Sequence, residues 1–312
     1  MSALICGSFA YDTIMVFPDQ FKNHILPDKV HMLNVAFLVP ELRREFGGCA
    51  GNIAYNLKLL DDEPVPMGTV GSDFTSYATW MDQHQISRRH VHVKKGNYTA
   101  QAFITTDLDD NQITAFHPGA MNLAHETKIS EAKDITLAIV SPDGRDGMIQ
   151  HAQQLHEAGI PFIFDPGQGL PMFNGEDLMN FTKQATYITL NDYEAQLFQD
   201  RTGLSPHEIA EHVEALIITQ GGQGSHIYTA GKRLDIPCAK TSKLADPTGC
   251  GDAYRAGLIH GIMHGKDWET TGRIASLLGA IKIEQHGTQN HQFTMAEFTT
   301  RYEQAFSQKL ND

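Results

Sequence analysis

The run Asp246-Pro247-Thr248-Gly249-Cys250-Gly251-Asp252 passes directly into Ala253-Tyr254-Arg255-Ala256-Gly257-Leu258, and its reading decides how the chain folds. An Asp-Pro turn leads into two glycines one residue apart, then a carboxylate, then an apolar helical pattern unbroken to about Gly265. Glycines at such a turn let the backbone adopt conformations closed to other residues. They also leave the first amides of the helix bare, where unpaired donors and the helix dipole together make an anion site. Asp252 in that turn has two readings. It is an ordinary favourable residue at a helix start, or it is a base beside a phosphate cradle, as phosphoryl transfer to a hydroxyl requires. Cys250 shares the turn, and a helix start lowers a thiol's pKa and makes it oxidisable.

The length of 312 residues suits two domains or one large α/β unit with an insertion. Apolar and charged fractions of 41% and 20% are those of a globular protein. A formal charge of −13 disfavours nonspecific binding to nucleic acid or anionic membrane, while a local nest of amides can still take a nucleotide. None of the 16 histidines stands at convincing metal-ligand spacing from another. The four cysteines, Cys6, Cys49, Cys238 and Cys250, fit neither a zinc nor a disulfide framework and read as small buried or backbone-facing residues. No segment reaches transmembrane length and no basic leader opens the chain, so the expected location is the cytoplasm.

Upstream of the opening stretch the chain divides by rhythm. Ala3 to Cys6 reads as a buried strand ending at Gly7-Ser8, with Asp12 following at the edge where ligands gather in open α/β sheets. Residues 13–46 are too apolar for a solvated loop and too interrupted for a helix, and read as an inserted β segment. Gly47-Gly48-Cys49-Ala50-Gly51-Asn52 opens a helix, its glycines allowing close backbone approach and Asn52 able to meet hydroxyls. Asp73 is expected to cap the helix of Tyr77, Trp80 and Met81. Thr99 to Thr106 and Gln112 to Phe116 read as a hairpin around Asp109-Asp110-Asn111, assigned to the same insertion. From Ile135 the alternation of strand and helix is regular. Asn191 and Glu194 form an Asn-x-x-Glu at a helix start, either a cap with a solvated Glu or a holder of magnesium-bound water beside phosphate. Gln220-Gly221-Gly222-Gln223-Gly224 is a glycine-rich turn. No Gly-Lys-Ser/Thr follows it, and a hairpin rather than a helix does, which excludes a Walker loop and a dinucleotide fingerprint.

Taken together, Asp-Pro-Thr-Gly-x-Gly-Asp, the Gly-Gly run with Asn52, the Asn-x-x-Glu and Thr219-Gln220-Gly221 with Gly224 resemble the ribokinase-like (PfkB) carbohydrate and nucleoside kinases. The similarity spans essentially the whole chain and lies closest to the bacterial adenosine kinases of ribokinase type. It implies a sandwich with a mainly parallel sheet flanked by helices, formed by residues 1–12, 47–96 and 119–312, and a small β lid formed by 13–46 and 97–118. A TIM barrel is the rival fold, disfavoured by the insertions and the hairpin after Gly224. The implied reaction is ATP-dependent phosphorylation of the 5′-hydroxyl of a purine nucleoside, foremost adenosine. Alternatives are broader nucleoside use, a sugar kinase, or a nucleotide-binding regulator that has lost catalysis.

The resemblance also implies roles. Asp252 is the base, and Gly249, Cys250 and Gly251 supply the anion hole. Asp12 clamps two ribose hydroxyls, and Ser8, Gly48 and Asn52 join it. Gln168 contacts the nucleoside. Phe37 and Phe116 flank the base, Phe37 reading equally as a packing residue of the lid. Ala102 stands where an aromatic is common and Gly169 where a polar residue is, which implies a slacker base pocket. Asn191, Thr219, Gly221, Gly224, His286 and Gly287 meet ATP, and Glu194 serves Mg2+. Potassium is a candidate further cofactor, and a homodimer through the lid a candidate assembly.

Overall fold

A computed structural model of the chain describes residues 2–25, 34–109 and 111–310; Leu26 and Asp110, read above as part of the inserted segments, lie outside them. The first elements are β1 (Ser2–Cys6), β2 (Ala10–Val16), β3 (Glu41–Gly47), α1 (Cys49–Leu59), β4 (Glu63–Val70) and α2 (Thr75–Gln83). Next come β5 (His90–Val93), β6 (Ala100–Thr106), β7 (Gln112–His117), β8 (Ile135–Val140), α3 (Arg145–Glu157) and β9 (Phe162–Phe164). Then follow α4 (Gly175–Gln184), β10 (Tyr187–Asn191), α5 (Asp192–Thr202), α6 (Pro206–Ala210), β11 (Ala215–Thr219), β12 (Ser225–Thr229) and β13 (Lys232–Ile236). Three helices close the chain: α7 (Cys250–Met263), α8 (Trp268–Lys282) and α9 (Met295–Phe306).

Nine strands form one open sheet in the order β13-β12-β11-β10-β9-β8-β1-β4-β5, parallel from β11 to β5, with the β12–β13 hairpin antiparallel at one edge. An open sheet with two edges is not a barrel. Strand alternation splits the core in two. Ala3, Ile5, Leu137, Ile139 and Ile217 face α1, α2, α7, α8 and α9. Leu4, Cys6, Ala138, Val140, Leu216 and Ile218 face α3 to α6.

The remaining strands form a separate four-stranded sheet, β3-β2-β6-β7. Its register aligns Glu45, Asp12, Ala102 and Phe116 in one row across the strands, so these four share a face. The opposite face carries Leu42, Met15, Phe103 and Ile113. Asp73 does not cap α2, whose N-cap is Phe74 with no side-chain bond. Its carboxylate instead accepts from the Thr99 amide and hydroxyl and from Gln101, tying α2 to the start of β6. The Thr99 amide, just ahead of β6, competes for that carboxylate with the helix start, and the long-range partner wins.

Candidate active site

The carboxyl ends of the parallel strands deliver the site, as open α/β sheets generally do. Ser8 follows β1, Asp165 follows β9, Asn191 ends β10 and Thr219 ends β11 beside it. α7 enters between them. Its N-cap, Gly249, has φ 79°, a left-handed conformation that a side chain would strain. The Cys250 amide donates to the Pro247 carbonyl, 3.2 Å away, while those of Gly249, Gly251 and Asp252 have no acceptor among the described residues. Two of the three amides expected in the anion hole are therefore open, together with that of Asp252 itself.

The Asp-Pro turn is braced from behind. Asp246 accepts from the amides of Thr248 and Gly287, and its carbonyl accepts from the buried Lys282 ammonium at 2.7 Å. Burial lowers the Lys282 pKa and the Asp246 charge opposes that shift. Burial pushes the Cys250 thiol up to about 11, against the lowering expected at a helix start. Desolvation of the thiolate outweighs the helix dipole, and Asp246 and Asp252 add repulsion. Among the cysteines only Cys238 is exposed, contrary to the buried reading.

Asp252 is half-buried, and burial raises its carboxyl to about 6 against the stabilising hydrogen bond from Asn52 and the charge of Arg255. Asn52 donates from Nδ2 to Asp252 Oδ2 at 2.8 Å, and its Oδ1 accepts from Gln289, which is held by Trp80 and Tyr77. Asn52 thus orients the carboxylate. Asp12, reaching in from the smaller sheet, is raised to about 6, by burial first and then by the charges of Asp252, Glu45 and Asp246. Two carboxylates with strengthened protons accordingly face one crevice. Gly48, the N-cap of α1, has φ 86°, and a Cβ there would stand 2.6 Å from the backbone of Ser8, Phe9 and Ala10. The Ser8 hydroxyl accepts from the Cys49 amide at 3.3 Å.

Asn191 and Glu194 close a capping box: Asn191 Oδ1 accepts from the Glu194 amide, and both Glu194 oxygens accept from Asn191. Glu194 is buried rather than solvated, 3.9 Å from the Arg255 guanidinium. Arg255 in turn forms a two-pronged pair with Asp165, both bonds 2.9 Å and both side chains buried. This pair joins β9, α5 and α7 directly beneath the helix start. Gly221 and Gly224 have φ 53° and 96°, and the space beside Gly221 is open. His286 and Gln168 are exposed. Phe116 is 53% exposed, opposite Ala102 in the ladder. Phe37 packs instead with Phe17 and Phe21, centroids 4.7 and 5.0 Å away, within the core of its own segment.

Arg255, Asp165, Lys282, Gln289 and Glu45 carry the site's electrostatics and escaped the sequence reading. Arg255 alone carried a signal: a cation three residues after Asp252 on an otherwise apolar helix face needs a buried anion.

A carboxylate of raised pKa next to unpaired amides, at the end of a parallel sheet, suits the transfer of a phosphoryl group to an alcohol. The profile of the pfkB family carbohydrate kinases matches residues 11–294. The chain belongs to that family of phosphotransferases with an alcohol group as acceptor. It is similar to the nucleoside kinase of Methanocaldococcus jannaschii, 30% identical over 272 residues that cover 86% of this chain and 89% of that one. It is also similar to the nucleoside kinase of Burkholderia thailandensis solved in complex with inosine: 54% identity, TM-score 0.90, 98% of this chain and 99% of that one covered. The complex of that kinase with ADP-inosine gives 56% identity and TM-score 0.88 over 98% and 97% of the two chains.

Proposed function

We propose that the chain is a nucleoside kinase that transfers the γ-phosphoryl of ATP to the 5′-hydroxyl of a purine nucleoside, inosine and adenosine among its acceptors. The observation that carries this is Asp252, held by Asn52, beside the open amides of Gly249 and Gly251. Asp252 accepts the hydroxyl proton and aims the oxygen, and the amides hold the charge on the transferring group. Asp12 meets the vicinal ribose hydroxyls from the smaller sheet, which acts as a lid that excludes water. Phe116 offers its face to the base, and Ala102 leaves room beside it, which supports acceptance of more than one purine. A free sugar has no flat surface for Phe116, which weighs against the sugar-kinase alternative.

Magnesium fits the residues present in one way. Each Glu194 oxygen keeps an acceptor lobe after its bond to Asn191, so the carboxylate suits a magnesium-bound water rather than the ion itself. Bound with ATP, the ion would neutralise charge on the phosphate oxygens. The apolar outer face of the smaller sheet supports a homodimer through that sheet.

The test is a panel of inosine, adenosine, guanosine, cytidine, ribose and fructose with labelled ATP, with 5′-deoxyinosine as the control that lacks the acceptor. Phosphorylated inosine or adenosine, none from the 5′-deoxy compound, and sugars left unmodified are expected. Preferential phosphorylation of a free sugar, or binding of nucleoside and ATP with no product, would overturn the proposal.

A further inference from the structure

The far end of α7 carries a second cluster that phosphoryl transfer does not use. Asp62, in the turn between α1 and β4, is 7% exposed. His260 and His264, one helical turn apart, both reach its carboxylate: His260 Nδ1 lies 2.8 Å from Oδ2 and His264 Nε2 lies 2.8 Å from Oδ1. One donor atom from each of the three residues lies within 4.8 Å of the other two. Along the helix the cluster sits roughly 12 Å or more from Asp252.

We propose that Asp62, His260 and His264 form a binding site for one divalent transition ion of the zinc class. Two imidazole nitrogens and one carboxylate oxygen are a donor set suited to zinc, cobalt or nickel, whereas magnesium prefers oxygens alone. Histidines one turn apart on a helix present both rings to a single ion. Around a tetrahedral ion with bonds of ~2.0–2.1 Å the donor atoms stand ~3.3 Å apart, so the two 2.8 Å ring-to-carboxylate contacts, which now end on different oxygens, have to lengthen and the rings turn toward one ion. The His264 side chain, 38% exposed, has the freedom to give that movement and leaves a side open for water as the fourth ligand. The ion takes the place of the protons now shared between rings and carboxylate; each neutral ring keeps its proton on the other nitrogen, and only a ring that was imidazolium gives one up to solvent. Its role is structural. It pins the turn after α1 to the end of α7, and the same two helices are joined at their other ends by Asn52 and Asp252. The four-residue spacing of His260 and His264 corrects the reading that no two histidines stand at ligand spacing, and the third ligand, 198 positions from His260, carried no local signal.

Chelator-stripped full-length protein titrated with cobalt(II) chloride tests the site. About one ion per chain is expected, with the visible absorption of four-coordinate cobalt and a higher thermal midpoint when zinc chloride replaces it. His264→Ala, at a half-exposed position that leaves the fold intact, should weaken cobalt binding by more than the ~10–100-fold of a lost outer-shell partner and abolish the thermal shift. Cys238→Ser, which removes the exposed thiol, should change neither. Absence of stoichiometric cobalt binding, or equal binding by His264→Ala, would show that the cluster is only a carboxylate shared by two rings.

Discussion

Asp252 and Asp12 hold their protons to about 6, where an exposed aspartate releases them near 3.8, and both owe this first to burial. A base must be unprotonated to work, so kcat/KM should rise with pH through an apparent pKa near 6 and level off above it. The charge of Asp252 adds to the rise of Asp12. Asp252→Asn should lower kcat by ~10²–10⁴-fold with nucleoside binding retained; turnover near normal would refute its assignment as the base. The stability effect runs the other way. A carboxyl whose folded pKa is raised favours the native state at low pH, and that advantage is lost as pH climbs from about 4 to about 6. In thermal unfolding, Asp12→Asn should accordingly gain more over the native chain at pH 8 than at pH 4.5. Asp252 and Asn52 were legible in the sequence because each belongs to a short local motif. Gln289, which sets the Asn52 amide, was not: it lies 237 positions from Asn52 and its type is unremarkable there.

α7 is held at its start by ionic contacts and along its length by apolar packing. Arg255 is buried beside Asp165 and Glu194, and a buried pair broken on one side costs about 3–5 kcal/mol because the other charge is left unpaired. Arg255→Ala should show a loss of that order in chemical denaturation. Arg255→Ala combined with Asp165→Ala should cost less than the two single losses added. A double variant that is merely additive would mean that the pair is not coupled. At the start of α1, Gly48→Ala must accept both a left-handed backbone and a Cβ inside the Ser8–Ala10 backbone, so a cost of at least about 1–3 kcal/mol is expected. The helices and strands themselves were well anticipated, since α7 follows its apolar run and the β12–β13 hairpin follows Ala230-Gly231, where both residues have positive φ. Asp73 misled because its sequence position fits a cap while its bond runs to Thr99, and local pattern carries no information about that partner.

The smaller sheet gives the molecule two unlike faces. One carries Asp12 and Phe116; the other exposes Phe103 at 41%, Ile113 at 46% and Leu42 at 64%, clustered by the strand register. Contiguous exposed apolar side chains on a sheet call for a cover. Sedimentation should find the chain as a dimer, and Phe103→Glu with Ile113→Glu should shift it to monomer. A native chain that sediments as a monomer at micromolar concentration would rule out this assembly.

By itself the sequence determined the parallel α/β sandwich, the insertion of a second sheet and the glycine-framed start of α7, because each rests on neighbours in the chain: strand alternation, helix periodicity and turn chemistry. Tertiary structure alone decided which charges meet. Burial set the proton affinities of Asp252, Asp12 and Cys250, and it paired Arg255 with Asp165 across 90 positions. Both depend on the removal of water and on distances between segments remote in sequence, and neither quantity is written in local order.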